Sequence, residues 1–394
     1  MSKNFKLSFS NKSIHYSDEE IDTVIKSMQK DGVLTQGDAL EKFEENFSKY
    51  LSVEYSFAMN SATSALELAA QLCQFDEGDE FICPTHTYTS SAYPFIKAGG
   101  VPVWADINLD TRVVSLEDIE KKITQKTKAI IVVHLYGFMI PEIEEIAKLA
   151  KEKGILLIED VAQAIGTEGN INNKAGTYGD FSVFSFHSHK NITTLGEGGM
   201  LVVKSKEIAK LIPMLRHNGH SNWPEPRSEY WKPAMGNVDL PILNNRFIMP
   251  SNFCIGEVEC ALGSKLLKRI DRINDEKRNR ALLFIDELAQ FDLLKFHRVN
   301  SKEHNYHLLV AYVNNNKRDK FINLMSSKKQ IQCVVQYYPL HFYDLYRKLG
   351  YGNAVCPNSE VFFNNMISFP FHHSLSDTDL DYLLDSTKSI LKSL

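Results

Sequence analysis

The stretch from Ala129 to Asp160 constrains this chain more than any other. AIIVVHL (129–135) and ILLIED (155–160) are continuous apolar runs, the pattern of strands buried on both faces. Between them Pro141 stands where a first helical turn tolerates it. Ile143, Ile146, Ala147 and Ala150 follow at helical spacing, and Gly154 supplies the stop. Strand, helix and strand in so short a span make a βαβ unit, which requires a parallel sheet with right-handed crossovers. FSVFSF (181–186) and GMLVVK (199–204) extend the strand pattern, and Ala65, Leu68, Ala69 and Leu72 mark a helix beginning just after NSAT. The expected fold class is α/β: a large domain, residues 1–250, whose mostly parallel sheet is covered by helices.

Around residue 217 the pattern changes. Residues 219–250 have little periodicity and hold Pro224, Pro226, Pro233 and Pro241 with Trp223 and Trp231. Ile255, Val258, Leu262, Leu266 and Ile270 then predict one long amphipathic helix connecting to a second domain, residues 251–394. There HLLVAYV (307–313) and IQCVVQ (331–336) read as strands around a helix at about 317–328, and Ser376 with Asp379 reads as a helix cap. This is a smaller α+β unit.

Charge bounds the partners. Forty-four Lys and Arg against forty-nine Asp and Glu leave a net charge of −5, so no overall basic excess draws the chain to nucleic acid or an anionic membrane. The opening MSKNFKLSFSNK lacks the apolar core of a signal peptide, and no run approaches the roughly 18 apolar residues of a membrane span. Six scattered cysteines have no CxxC pair and no histidine at zinc spacing, which predicts buried thiols rather than metal ligands or disulfides. A cytoplasmic protein acting on small molecules is expected.

Ligands of parallel α/β sheets bind beyond the carboxyl ends of the strands. Asp160 ends an apolar strand, where a carboxylate must cap a helix, be paired or face a ligand cation. Lys190 follows another strand in a turn rich in glycine (Gly196, Gly198, Gly199); it is a solvated lysine, a phosphate ligand or a Schiff-base former. NSATS before a helix is either an N-cap or a phosphate cradle. A lysine, a strand-end carboxylate, a phosphate cradle and an aromatic (Tyr88) are together what a pyridoxal phosphate site requires.

Ordered blocks along nearly the whole chain sharpen this reading. They are GVLTQG (32–37), FEENF (43–47), NSATSAL (60–66), PTHTYTSSA (84–92), VVHLYG (132–137), IEDVAQAIG (158–166), YGDFSVFSFHSHKNITTLGEGGM (178–200), PSNFCIGEVECALG (250–263), YYPLH (337–341) and SFPFHHSLSD (368–377). With them the sequence resembles the DegT/DnrJ/EryC1/StrS sugar aminotransferases, within the fold-type-I pyridoxal-phosphate-dependent transferases. The resemblance implies that Lys190 holds pyridoxal 5'-phosphate through a Schiff base and moves the proton, with pyridoxamine phosphate formed in between. Asp160 is implied to face the pyridine nitrogen, Gln163 the 3-oxygen side and Tyr88 the ring face. Thr63, Ser64 and Ser185 are implied to bind the phosphate, and Asn252 the phosphate of a neighbouring subunit, which makes a homodimer with shared active sites.

The implied reaction moves an amino group from L-glutamate to a keto sugar for bacterial surface glycans such as lipopolysaccharide. A nucleotide-linked keto-deoxysugar is the expected acceptor; the alternative is an oxidised sugar acid, an 8-oxo-octulosonate converted to its 8-amino form. A cofactor-dependent sugar dehydratase would normally lack Lys190, and a sensor built on this fold would carry an added DNA-binding domain. Two positions depart from the family pattern: Ala62 stands where many members have Gly, and Cys254 where many have Arg. The 219–250 stretch is either a surface excursion or dimer arm, or a cover for the site mouth whose Arg227 and Arg246 hold the acceptor's anionic group. For His86, His134, His187, His341, His372 and His373 packing is the plainer reading, with His341 also carried as a candidate substrate contact. No metal site is expected.

Overall fold

The computed structural model describes residues 5–9, 13–169, 173–221 and 236–394. At its centre lie β1 (Ser56–Met59), β2 (Glu80–Pro84), β3 (Val101–Ala105), β4 (Thr127–Val133), β5 (Leu156–Asp160), β6 (Phe181–Ser185) and β7 (Gly199–Val203), in the spatial order β1-β7-β6-β5-β4-β2-β3. Neighbours run parallel except at β7, which is antiparallel to both β1 and β6. The βαβ unit is present as β4, the helix Ile143–Lys153 and β5. Gly154 closes that helix in the left-handed conformation at φ 66°. Its register aligns Val133 with Asp160 and Asp160 with Val183, so β4 and β5 end level and β6 runs on to Ser185 beside them.

Helices α1 (Asp18–Gln29), α2 (Asp38–Leu51) and α3 (Ala62–Leu72) come before or between the first strands. α1 begins with a capping box between Ser17 and Glu20. α2 starts at Gly37, which has no capping side chain. The buried Glu257 takes that role from another helix, accepting from the N–H groups of Gly37, Ala39 and Leu40. α3 leaves β1 beside Gly199. A Cβ there would lie 2.5 Å from the Ala62 nitrogen, so this glycine lets the start of α3 sit against β7.

The apolar residues divide into two cores. The larger surrounds the sheet, with Phe43, Phe47, Phe184 and Phe186 in ring contact. The smaller is built from Ala281 to Leu288, the antiparallel strands Leu294–Phe296, Leu309–Val313 and Met366–Phe369, and the helices Arg318–Lys329 and Asp377–Leu391. Ser376 caps the last helix by accepting from the Asp379 N–H, as its spacing predicts. The helix Ile270–Leu288 joins the cores: Ile270 and Ile273 belong to the first, and Ala281 onward to the second.

Two local expectations are corrected. The periodic stretch from Ile255 to Ile270 is not one helix. Glu257–Leu267 packs on α1 and α2, and Arg269 then leaves helical geometry (φ −117°, ψ 8°) to bind Glu20 and the His15 carbonyl. IQCVVQ is not a strand either, since it makes only single bridges to two different partners, Ile331 to Leu7 and Val334 to Ser368. Five of the six cysteines are buried and all six are free thiols. Among the described residues no helix is long and apolar enough to cross a membrane.

Candidate active site

Beyond the ends of β4, β5 and β6 opens a cavity of about 380 Å³, lined by Thr63, Tyr88, Asp160, Gln163, Ser185 and Lys190 among others. Its size is that of a small-molecule site. The last two residues of β5 show how alternation in a strand builds it. Glu159 is fully buried and turns away from the cavity. Its carboxylate accepts from His134 Nε2 (3.0 Å), from the N–H groups of Gly176, Tyr178 and Gly179, and from Ser182 Oγ. Burial alone would push this carboxyl up, but the hydrogen bonds from His134 and the glycine N–H groups outweigh it, and it sits below the usual carboxylate range. Asp160 faces the cavity. Ser91 Oγ donates to its Oδ2 (2.7 Å) and the Ala162 N–H to its Oδ1 (3.0 Å), which fixes the carboxylate with lone pairs to spare.

Lys190 comes from the turn between β6 and β7. Its N–H donates to the His187 carbonyl, Ser188 N–H to Gly196 O, and Thr194 N–H to Phe186 O. Ser13 clamps the turn from outside by donating to the carbonyls of Ser188 (2.7 Å) and Lys190 (2.8 Å). Gly198, at φ 156°, is needed here because a Cβ would fall 2.0 Å from Thr194 Oγ1. Burial lowers the Lys190 amine to about 8, against the opposing pull of the Asp160 charge. Near neutral pH a useful share of this amine is therefore neutral and nucleophilic.

Gln163 is held at both ends of its amide: Oε1 accepts from the Tyr136 N–H (2.8 Å) and Nε2 donates to Tyr337 Oη (3.0 Å). Tyr88 is exposed, its ring edge-to-face with Tyr337 at 6.4 Å. Thr63, in the first turn of α3, donates to Ser90 Oγ (3.0 Å) where the helix dipole favours an anion. Ser185 lines the cavity beside it.

Other predicted residues lie elsewhere. Ser64 is on α3 but not on the cavity wall, because its hydroxyl donates to Asn60 and belongs to the Ser61 cap. Asn252 is exposed and outside this chain's own cavity; its segment is tied to Asn60, whose N–H donates to the Phe253 carbonyl (2.9 Å). His341 is buried away from the cavity, bonded to Thr85 Oγ1 (2.7 Å) and facing Glu360 at 3.6 Å. Arg246 lies on the surface, its Nη2 donating to both carboxylate oxygens of Asp76 (2.9 and 3.0 Å), not on this cavity. Arg227 and the Pro/Trp-rich part of its loop fall outside the described residues.

The opposite wall was not anticipated from the sequence. It carries Lys277, His307, Gln336, Tyr337 and Phe371. One of these had a signal: Lys277 lies on the buried stripe Ile270, Ile273, Asn274, Ala281, where an apolar residue belongs.

Residues 15–388 match the model of the DegT/DnrJ/EryC1/StrS aminotransferase family. GDP-perosamine synthase of Vibrio cholerae is 32% identical over 360 residues, covering 91% of this chain and 92% of that protein. The Helicobacter pylori aminotransferase PseC, involved in the biosynthesis of pseudoaminic acid, superposes with a TM-score of 0.87 at 26% identity over 98% of this chain and 100% of that one. Spr1654 of Streptococcus pneumoniae, also 26% identical, superposes at 0.84 in its PMP form (96% of this chain, 98% of that one) and at 0.83 in its PLP form (99% of each). The chain belongs to this family of pyridoxal-phosphate-dependent sugar aminotransferases, and its sheet is the fold-type-I arrangement.

The residues present suit the cofactor. An amine lowered to about 8, a fixed carboxylate with uncommitted lone pairs and a helix N-terminus carrying Thr63 face one cavity. These are the complements of an aldehyde, a protonated ring nitrogen and a phosphate.

Proposed function

We propose that the enzyme is a cytoplasmic homodimer that transfers the amino group of L-glutamate to a nucleotide-linked keto-deoxysugar used for surface glycans, lipopolysaccharide among them. The observation that carries this reading is the convergence of Lys190 and Asp160 on one strand-end cavity. The nucleotide-linked acceptor is supported by the GDP-perosamine synthase similarity.

Bound pyridoxal phosphate would supply the aldehyde that takes up nitrogen and the electron-withdrawing ring that stabilises charge at the donor's Cα. The chain's own groups do the rest. Lys190 Nζ would hold the cofactor, be released when the donor amine replaces it, and then carry the proton between donor and cofactor carbons as a base of suitable strength. Asp160, pinned by Ser91 and Ala162, would keep a positive charge on the ring nitrogen. Gln163 would orient the 3-oxygen side, and Tyr88 would cover the ring. Thr63 and Ser185, with Ser64 completing the cap of α3, would hold the phosphate at the positive helix end. Asn252, exposed and outside its own cavity, would reach the phosphate of the second subunit.

The test is a two-stage reaction. Holoenzyme treated with L-glutamate should lose the visible absorbance of its cofactor and release 2-oxoglutarate. The washed product should regain that absorbance with nucleotide-linked keto sugars and not with the free sugars. Regain with none of the panel overturns the acceptor assignment.

A further inference from the structure

Lys277 is a buried amine, protonated in about half of the molecules near neutral pH, to which the reaction gives no task. It is 3% exposed, yet it lines the same cavity as Lys190. An ammonium has three N–H donors. Two are taken by neutral acceptors, Asn191 Oδ1 (2.9 Å) and the His307 carbonyl (3.1 Å), and the third has no acceptor among the described residues. No carboxylate compensates the charge, and burial alone lowers its amine to about 7. Asn191 is itself anchored: its Nδ2 donates to Asn274 Oδ1 (2.8 Å), and Asn274 Nδ2 donates to the Ile165 carbonyl (2.8 Å). The ammonium is thus held in place rather than free to swing to water.

A second group stands beside it. His307 is 5% exposed and lines the cavity, and its Nδ1 is buried without a partner. Phe371, with Lys277 Nζ 5.8 Å from its ring centre, shields this wall from water. The two carboxylates on the cavity lining, Asp160 and Glu197, belong to the β5 end and the turn that follows Lys190. With Lys277 protonated and the neutral His307 ring carrying its hydrogen on Nδ1, the two present one N–H each to the two oxygens of one carboxylate, whose charge in turn favours the protonated lysine.

We propose that Lys277 and His307 form a carboxylate-binding subsite of the cavity, occupied by a substrate carboxylate. The carboxylate comes either from the amino-acid donor or from a sugar-acid acceptor. The inference rests on the aminotransfer reading for its choice of ligands, but not for its test, which needs no turnover.

The experiment is calorimetric titration of the holoenzyme with glutarate, the donor skeleton without its amine, and with gluconate, a sugar carboxylate. Lys277→Gln keeps an amide that can donate to Asn191 and His307 while removing the charge. It should weaken binding roughly ten- to a hundredfold, the range of a charge-assisted hydrogen bond. Lys277→Arg should recover binding at least in part, and the cofactor's absorbance should be unchanged in both variants. Weakening for glutarate assigns the subsite to the donor; weakening for gluconate alone assigns it to a sugar acid. His307→Ala leaves the lysine and its bonds in place and should weaken the same ligand, so the test survives if Lys277→Gln does not fold. Binding within about twofold of the unmutated protein in both Lys277→Gln and His307→Ala, or no binding to the unmutated protein, overturns the subsite. Failure to aminate any nucleotide-linked sugar would overturn the acceptor assignment alone.

Discussion

The two walls of the cavity are built on different terms. The first wall is sheet-borne: Asp160, Gln163, Ser185 and Lys190 come from β5, β6 and the turns that follow them. Its fixed groups are bonded before any ligand arrives, Asp160 by Ser91 and Ala162, Gln163 by Tyr136 and Tyr337. The second wall is assembled from the joining helix and the loops of the smaller core, and it buries a lysine that no carboxylate of the described residues pairs and that burial lowers to about 7. A preorganised surface suits a resident cofactor, and an uncompensated charge suits an anion that comes and goes.

The comparison breaks first at Lys190. Lys190→Ala should lower turnover by several orders of magnitude with its melting temperature nearly kept, because a half-buried turn lysine adds little to the core. If Lys277 were the lysine that holds the cofactor, this variant would keep the cofactor's visible absorbance. Asp160→Ala should follow. Removing one partner of a buried charge pair costs about 3–5 kcal/mol; a loss of that size in the transition state would slow both half-reactions by roughly 10²–10⁴ while the phosphate contacts retain the cofactor.

Glu159→Gln tests the neighbouring carboxylate, whose role is in the fold alone. It should lose about 3 kcal/mol of stability in denaturant titration, with near-normal activity in the folded fraction. Because the native Glu159 carboxyl is depressed, its contribution is full above the unfolded value of about 4.3 and is lost as pH falls through the lower folded value. The acid limb of the stability curve should therefore be shallower in the variant. A smaller effect concerns Lys190 in apoenzyme: capture of added pyridoxal phosphate should slow about tenfold per pH unit below its value of about 8 and level off above it. Smallest of all is Arg246→Ala. Its guanidinium pairs with Asp76 at the surface, so the Michaelis constants for both substrates should change by less than about twofold. A larger rise for the sugar alone would return Arg246 to the substrate site.

What could be read in the sequence follows the same division. β4, β5 and their helix are long apolar runs with clear stops; Asp160 stands out because it closes such a run, and Lys190 because it lies in the glycine-rich turn shortly after β6. The local pattern also marked the last cap at Ser376, and NSATS as an N-cap or a phosphate cradle, where Ser61 is the residue that caps α3. Periodicity failed at Arg269, where a tertiary ion pair to Glu20 breaks the helix without any glycine or proline to announce it. His341 and Arg246 were chosen for residue type, and their neighbours Thr85 and Asp76 are too distant in the chain to be read from it. The second wall was invisible for a related reason: Lys277, His307 and Tyr337 meet only when the chain folds back, although a lysine on an apolar helical stripe is a local sign of it.

Two lysines, Lys190 half-buried and Lys277 buried, therefore face one cavity with different assignments, and one measurement separates them. Holoenzyme is reduced with borohydride, digested and sequenced by mass spectrometry. The account predicts the reduced cofactor on the peptide containing Lys190, with Lys277 unmodified. Cofactor on Lys277, or on neither lysine, would contradict it.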